Sequence, residues 1–175
     1  MSSGLRLVGL VGSARIQAAL ALPVALVSCV PVFLWGPSGG QAAIVAALLF
    51  GVTFLAGLRG LRASLTRRLA EVTAPPPGLE VVPDAEEFDL HSRNLTLPLV
   101  LALAAGAGIG VVTGVPAGMA LAGPAVAMLW LSRWLAAEER HLGGRVVCVL
   151  APLLARGDEP ALDTYTRADL WIVRP

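Results

Sequence analysis

Two long stretches of the chain contain no ionisable side chain. Residues 16–58 and 94–132, which are 43 and 39 residues long, hold no Asp, Glu, Lys, Arg or His and consist mainly of Ala, Leu, Val and Gly. A helix that crosses a lipid bilayer needs about 20 consecutive apolar residues. Each stretch is therefore long enough for two crossings joined by a short turn.

Short segments rich in glycine and proline divide both stretches, WGPSGGQ at 35–41 and TGVPAGM at 113–119. Such a composition is typical of turns. The pattern predicts an all-α integral membrane protein whose four transmembrane helices form two helical hairpins with short cytosolic helical extensions. We place the spans at about residues 16–35, 42–58, 97–113 and 116–134.

The remaining sequence divides the chain into four segments. The N-terminal hairpin continues into a basic amphipathic tail, and a Pro-rich and then acidic linker leads to the second hairpin. In the C-terminal segment the apolar run 146–154 is too short to cross a membrane, and the end of the chain is ambiguous between helix and strand. The predicted boundaries are 1–72, 73–95, 96–142 and 143–175.

The composition supports lipid as the solvent of this chain. It is 56% hydrophobic before its 19 glycines are counted, and only 14% of its residues are charged. Soluble domains carry about 25% charged residues. Prolines at 23, 31, 116 and 124 would also break long helices in water. We therefore exclude a soluble protein with two very long buried helices.

The arginines predict the orientation of the chain. They flank the apolar stretches, and arginine-rich flanks remain in the cytoplasm, which places both termini and the linker there. All 13 basic residues are Arg, typical of a GC-rich bacterial genome, so we expect the bacterial plasma (inner) membrane. The net charge of +1 gives no indication of nucleic-acid binding. The basic residues expected to face lipid or a partner are Arg59, Arg62, Arg67 and Arg68.

Small residues recur at four-residue spacing in two of the spans. Ala, Gly and Ser let transmembrane helices approach closely, which matters because lipid supplies little hydrophobic force between helices. Such a stripe either packs the four helices together or receives a helix of a partner. The predicted helix-packing residues are Ala102, Gly106 and Gly110 in the third span and Ala43, Ala47 and Gly51 in the second.

Candidate chemistry is sparse. The sequence shows no phosphate loop, nucleophile elbow or pair of catalytic carboxylates, and neither a catalytic residue nor a cofactor is predicted. A Glu and a His three or four residues apart share one helix face, and such pairs can bind metals. The two pairs of this kind are the weak metal candidates Glu87 with His91 and Glu138 with His141, which are otherwise solvated charges near the membrane.

Two alternatives stay open. The tetrapeptide LVSC at 26–29 fits a bacterial lipoprotein cleavage site, which would lipidate Cys29, but the residues that follow remain apolar. The two halves also resemble each other, since ALPVALV at 21–27 is similar to TLPLVLA at 96–102. This similarity is compatible with a parallel internal duplication or with chance.

The expected function is that of a non-catalytic small membrane subunit or accessory protein that packs against a larger membrane complex. The expected partners are the lipid bilayer and either another membrane protein or a second copy of the chain. One alternative is a small transporter formed by homo-oligomerisation, although the predicted spans hold no charged residue apart from Arg133 at the end of the fourth. The other is a membrane enzyme that acts at the cytosolic face.

Overall fold

The computed structural model describes residues 6–35, 39–76, 79–150 and 170–174 and is mostly helical. Four of its helices are long and apolar enough to cross a membrane, in agreement with the prediction of a multi-pass membrane protein. They are α1 (Leu10–Trp35), α2 (Gly39–Leu69), α3 (Asp84–Thr113) and α4 (Met119–Leu142).

Three of the helices run well beyond the uncharged stretches. α2 continues past Arg59 to Leu69, α3 begins at Asp84, three turns before its apolar part, and α4 continues past Arg133 to Leu142. The basic tail and the acidic end of the linker are thus continuations of the spans, not separate helices. Pro23 and Pro31 lie inside α1, and Pro98 lies inside α3, without ending these helices.

Glycines end α3 and α4. Gly114 and Gly143 have φ angles of 70° and 66°, and their N–H groups donate to the carbonyls of Gly110 and Glu139. This left-handed conformation is one that other L-residues adopt only at a cost, which explains why glycine stands at both positions.

A four-stranded sheet accompanies the helices, so the prediction of an all-α chain was wrong in this respect. The sheet has the order β2-β1-β3-β4, in which β1 is parallel to β2 and antiparallel to β3, and β3 is antiparallel to β4. The strands are short and rich in Val, Ile, Leu and Trp, which suit a pleated, half-buried surface. They are β1 (Arg6–Gly9), β2 (Glu80–Val81), β3 (Arg145–Val149) and β4 (Leu170–Val173).

One face of the sheet holds a small hydrophobic core. Leu7, Val147, Val149 and Trp171 are all at most 7% exposed and pack together. Their positions follow the two-residue alternation of a strand, because Leu7 pairs with Val149 and Val147 pairs with Trp171. The segment 143–175 therefore contributes two strands, while residues 151–169 lie outside the described part of the chain.

The helices pack as a row in the order α3-α1-α4-α2. α1 packs extensively against α3 and α4, and α4 also packs against α2. The two helices of each predicted hairpin, by contrast, make few contacts with each other. Each helix therefore packs mainly against helices of the other predicted hairpin, and the hairpin arrangement itself stays a prediction.

The strand order explains this helix order. β1 and β2 lie side by side and lead directly into α1 and α3, so these helices start together and run in parallel. β3 follows α4 and lies antiparallel to β1, which brings the end of α4 to the start of α1. Thr73, just beyond α2, bridges to Trp171 of β4. All four strands thus lie at one end of the helices.

The order strand–helix–helix occurs twice, as β1-α1-α2 and as β2-α3-α4. Because β1 and β2 are parallel, the two copies of this order start in the same direction, as a parallel duplication requires. The duplication itself stays a prediction.

Candidate functional site at the junction of helices and sheet

The predicted small-residue stripe of α3 faces α1. Gly106 and Gly110 are buried, and a Cβ atom at Gly106 would lie 3.0 Å from the Cβ of Ser28. At Gly110 a Cβ atom would lie 2.6 Å from a methyl group of Val32. Ala102, one turn earlier, is half-buried. The two glycines therefore lie where α3 and α1 approach most closely along this face.

The predicted stripe of α2 lies elsewhere. Ala43 and Ala47 are exposed, and a Cβ atom at Gly51 would meet nothing within 4 Å. The buried residues of this part of α2 are instead Ala42 and Ala46, each 7% exposed. The face of α2 that packs inside the chain is thus shifted by one residue position around the helix axis from the predicted face.

The close approach of α2 to α4 occurs at a glycine outside the predicted helix-packing residues. A Cβ atom at Gly123 would lie 2.6 Å from the backbone nitrogen of Phe54 and 2.9 Å from the carbonyl oxygen of Phe50. The sequence feature that could have indicated this contact is the pair Gly123-Pro124 in the middle of a span, because neither residue favours a helix.

The four predicted basic residues of α2 are all exposed. Arg62 is the one with an aromatic neighbour, since its guanidinium lies 5.8 Å from the ring centre of Trp134 in α4. Arg67 donates through Nε to the carbonyl of Ala63 at 3.2 Å. Their exposure leaves them available to lipid or to a partner.

A buried carboxylate joins α3 to the sheet. Glu87 is 1% exposed, and its Oε1 accepts hydrogen bonds from the backbone N–H of Gly9 at 2.5 Å and from Nη2 of Arg145 at 2.7 Å. Arg145 also pairs through Nη1 with Asp84 at 2.6 Å. Asp84 and Glu87 thus hold β1 and β3 against the start of α3, whereas α3 itself has no side-chain cap.

A buried Ser–His pair lies next to this carboxylate. His91 contacts the carbonyl oxygen of Glu87 through Nδ1 at 2.8 Å, and its Nε2 contacts the hydroxyl of Ser13 in α1. Since a carbonyl only accepts, Nδ1 carries a proton, and in the neutral imidazole Nε2 accepts from the hydroxyl of Ser13. Ser13 and His91 are 4% and 2% exposed, so a substrate cannot reach the hydroxyl unless α1 and α3 separate. The pair is therefore a cross-link between the two helices.

The four metal candidates do not come together. Glu87 and His91 are occupied by the contacts above, Glu138 is half-buried on α4 and His141 is exposed. Across the described ranges, no three His, Cys, Asp or Glu side chains are grouped so as to hold a metal ion. The inward-facing carboxylate of α4 is instead Glu139, whose Oε1 accepts from the backbone N–H of Val146 at 2.9 Å.

An open cleft of about 640 Å³ lies beside this network. Its wall is formed by the start of α1, the start of α3, the end of α4 and the turn into β3. Charged side chains of both signs line it, namely Arg15, Arg140, Arg145, Asp84, Glu87 and Glu139. Candidate chemistry in the described part of the chain is therefore concentrated at the end of the helices that carries the sheet.

The cysteines lie in different surroundings. Cys29 is buried in the middle of α1 near Gly118 at the start of α4, and the helix continues unbroken to Trp35. The proposal that Cys29 is lipidated remains untested. Cys148 lies in β3, where burial and the nearby charge of Glu87 raise the pKa of its thiol to about 12.

We expect Cys148 to be almost inert to maleimide at pH 8. The attacking species is the thiolate, and a free cysteine has a pKa of about 8.5, so a pKa of about 12 reduces the thiolate fraction by more than about a hundredfold. Labelling followed by mass spectrometry on the Cys29→Ala variant in detergent measures this rate. The same variant unfolded in SDS is the control and should react readily, and equal rates in both states would contradict the prediction.

The comparisons with known proteins give no relative from which a family could be assigned: no protein-family model, no curated protein and no solved structure matches this chain.

Proposed function

We propose that this chain is a non-catalytic, multi-pass protein of a bacterial inner membrane that packs as an accessory subunit against a larger membrane complex. The observation that carries the proposal is the open row of helices. In the most apolar part of the edge helices α2 and α3, 11% of the residues are buried inside the chain, compared with 28% in α1 and 39% in α4.

The α2 edge offers a surface for a partner helix. Its large apolar side chains Ile44, Leu48 and Val52 are 62–66% exposed, and the small residues Ala43 and Ala47 lie beside them. Large side chains next to small ones create ridges and grooves, and small residues let another helix approach closely in lipid. α2 is packed on one side only. A partner helix that covers its other side therefore adds contacts.

The charged end of the molecule supports a structural role. Glu87, Arg145 and Asp84 are paired with one another, and Ser13 is paired with His91, which leaves these groups engaged in holding helices and sheet together. Among the described residues, every buried side-chain nitrogen or oxygen has a hydrogen-bond partner.

We place the sheet end on the cytosolic side. Strands from before α1, from the linker and from after α4 share one sheet, so these three segments lie at the same end of the four helices. The exposed arginines at 59, 62, 67 and 68 lie toward this end of α2. Arginine-rich flanks stay in the cytoplasm, and each arginine near anionic lipid contributes about 1 kcal/mol of attraction.

Replacing Ala47 with leucine tests the α2 surface. Because Ala47 is exposed, the chain should fold as before, while the added side chain keeps a partner helix at a distance. We expect extraction in mild detergent followed by native mass spectrometry to show an unlike partner with the wild type and at least a fivefold smaller amount, roughly 1 kcal/mol of binding, with A47L.

Leu48→Ile is the matched control, since it keeps the volume of an equally exposed side chain and should leave the complex intact. A wild-type chain that appears only as a homo-oligomer would contradict an accessory role and favour a self-assembled transporter. Recovery of the same partner with A47L would exclude α2 as the contact surface.

A further inference from the structure

The cleft beside the buried contacts of Glu87 contains two arginines that form no ion pair within the described part of the chain. Arg145 is committed to Asp84 and Glu87. Arg15 and Arg140 are exposed, and no carboxylate of the described residues lies within 4.0 Å of either guanidinium. The contacts they make are to uncharged oxygens: Arg15 donates from Nε to the hydroxyl of Ser132 at 3.4 Å, and Arg140 donates to the carbonyl of Ala136 at 3.1 Å.

The same cleft also contains an acidic group with spare capacity. Glu139 accepts one backbone hydrogen bond through Oε1, and its other oxygen has no partner among the described residues. Once the ion pairs of Arg145 are set aside, the cleft offers two guanidinium groups and one carboxylate oxygen. The lining has three basic and three acidic residues, so it is neutral in sum.

The cleft lies at the boundary between apolar and charged sequence. Arg15 is the last ionisable residue before the uncharged stretch 16–58, and Ser132, which it contacts, is the last residue of the stretch 94–132. Val11, Ile16 and Ala136 give the cleft an apolar wall. In a membrane this boundary lies at the level of the phospholipid headgroups.

We propose that the cleft binds a phosphate ester that also carries a primary ammonium group, the chemistry of phosphoethanolamine. Arg15 and Arg140 bind the phosphate, because a guanidinium presents a planar array of donors that fits phosphate oxygens. Glu139 binds the ammonium group through its free oxygen. A phosphate without the amine would be repelled by Glu139, and an amine without the phosphate would be repelled by the two arginines.

The volume is adequate for such a ligand. Sites for small molecules commonly enclose about 300–1,000 Å³ and combine an apolar wall with a few convergent polar groups. The cleft has about 640 Å³ and both of these features. The ligand can come from a lipid headgroup that enters from the membrane or from a soluble phosphate ester.

Native mass spectrometry of the full chain in detergent tests the proposal, with phosphatidylethanolamine or phosphatidylglycerol added as probes. The wild type should retain phosphatidylethanolamine at least tenfold more tightly than phosphatidylglycerol. The double variant R15Q/R140Q should lose at least tenfold of this affinity, since charge-assisted hydrogen bonds to phosphate are among the stronger polar contacts. R6Q/R174Q removes the same charge from exposed positions of the sheet end outside the cleft and should bind as the wild type.

Glu139→Gln separates the two halves of the site. Glutamine keeps an oxygen acceptor for Val146 but loses the negative charge, so the preference for phosphatidylethanolamine over phosphatidylglycerol should fall by at least fivefold. Soluble phosphoethanolamine added to lipid-free protein distinguishes the sources: binding that requires Arg15 and Arg140 identifies a soluble ligand, and binding of the lipid alone identifies a headgroup.

Three results would overturn the proposal. One is equal binding of the two lipids by the wild type, which would describe a site for the phosphodiester group that both lipids share. Another is unchanged retention by R15Q/R140Q in a variant that keeps its thermal stability. The third is an unchanged lipid preference in E139Q.

Discussion

Replacing Glu87 with alanine should lower the free energy of unfolding by about 3 kcal/mol. The substitution leaves the N–H of Gly9 without its acceptor and removes one of the two carboxylates that hold Arg145. Breaking a buried ion pair by removing one partner costs about 3–5 kcal/mol, and the half-exposure of Arg145 places this case at the lower end. For a chain of this size the loss corresponds to a decrease in Tm of about 10 °C, measurable by circular dichroism in detergent.

Two variants control this prediction. Glu86 is the exposed neighbour of Glu87, and E86A should change the stability by less than about 0.5 kcal/mol. E87Q keeps an acceptor for the N–H of Gly9 but loses the negative charge. Its loss of unfolding free energy should therefore lie between those of E86A and E87A. A Tm for E87A equal to that of E86A would show that the carboxylate does not hold the sheet to the helices.

Gly123→Ala should destabilise the protein, although alanine is the better helix former. In an open helix the change from glycine to alanine stabilises by about 1 kcal/mol. At Gly123, however, the new methyl group would meet the backbone of α2 at 2.6 Å and 2.9 Å, and backbone atoms cannot rotate away as a side chain can. Overpacking costs roughly 1–3 kcal/mol, and contacts below 3 Å with backbone atoms place this case at the upper end. After the helix gain of about 1 kcal/mol is subtracted, we expect a net loss of about 2 kcal/mol.

Gly108→Ala is the matched control. Gly108 also lies in a spanning helix, but a Cβ atom there would meet nothing within 4 Å, so the substitution should leave Tm unchanged or raise it. The two variants should therefore differ in sign when they are unfolded thermally side by side. A rise in Tm for G123A would show that α2 and α4 are farther apart than described.

The helices were predictable because their signal is long and repeated. Two uncharged stretches of about 40 residues leave few alternatives to paired crossings, and the glycines at 106, 110 and 114 follow from the rules of helix packing and helix ends. The orientation of α2 was not predictable in the same way. Ala42 and Ala46 are as small as Ala43 and Ala47, so the sequence alone contains two equivalent stripes a single residue apart.

The sheet could not be predicted from local pattern. β1 has four residues that pass directly into α1, and β2 has two, which is too short for an alternation of polar and apolar positions to show. Their strand character depends on pairing between segments far apart in the chain, such as Leu7 with Val149. The order of the helices depends on the same pairing, so it was missed together with the sheet.

The sequence indicated only part of the network in which Glu87, Arg145 and His91 join the helices to the sheet. Glu87 and His91 stood out as a pair on one helix face, but the pair was interpreted as a metal candidate because its real partners are distant in sequence. Gly9 and Ser13 each lie 78 positions from the residue they contact, and Arg145 lies 58 positions from Glu87. Only the structure shows that Glu87 accepts hydrogen bonds from a backbone N–H and from an arginine.

The order of the strands has a consequence for biosynthesis. Of the four described strands, β1 is the first to leave the ribosome, yet its neighbours β2 and β3 lie about 70 and 140 residues further along, after two and four membrane crossings. Insertion of the helices must therefore precede closure of the sheet, and the first strand waits unpaired while translation proceeds. An early strand with free edges is a site for chaperone binding or for erroneous association with other nascent chains.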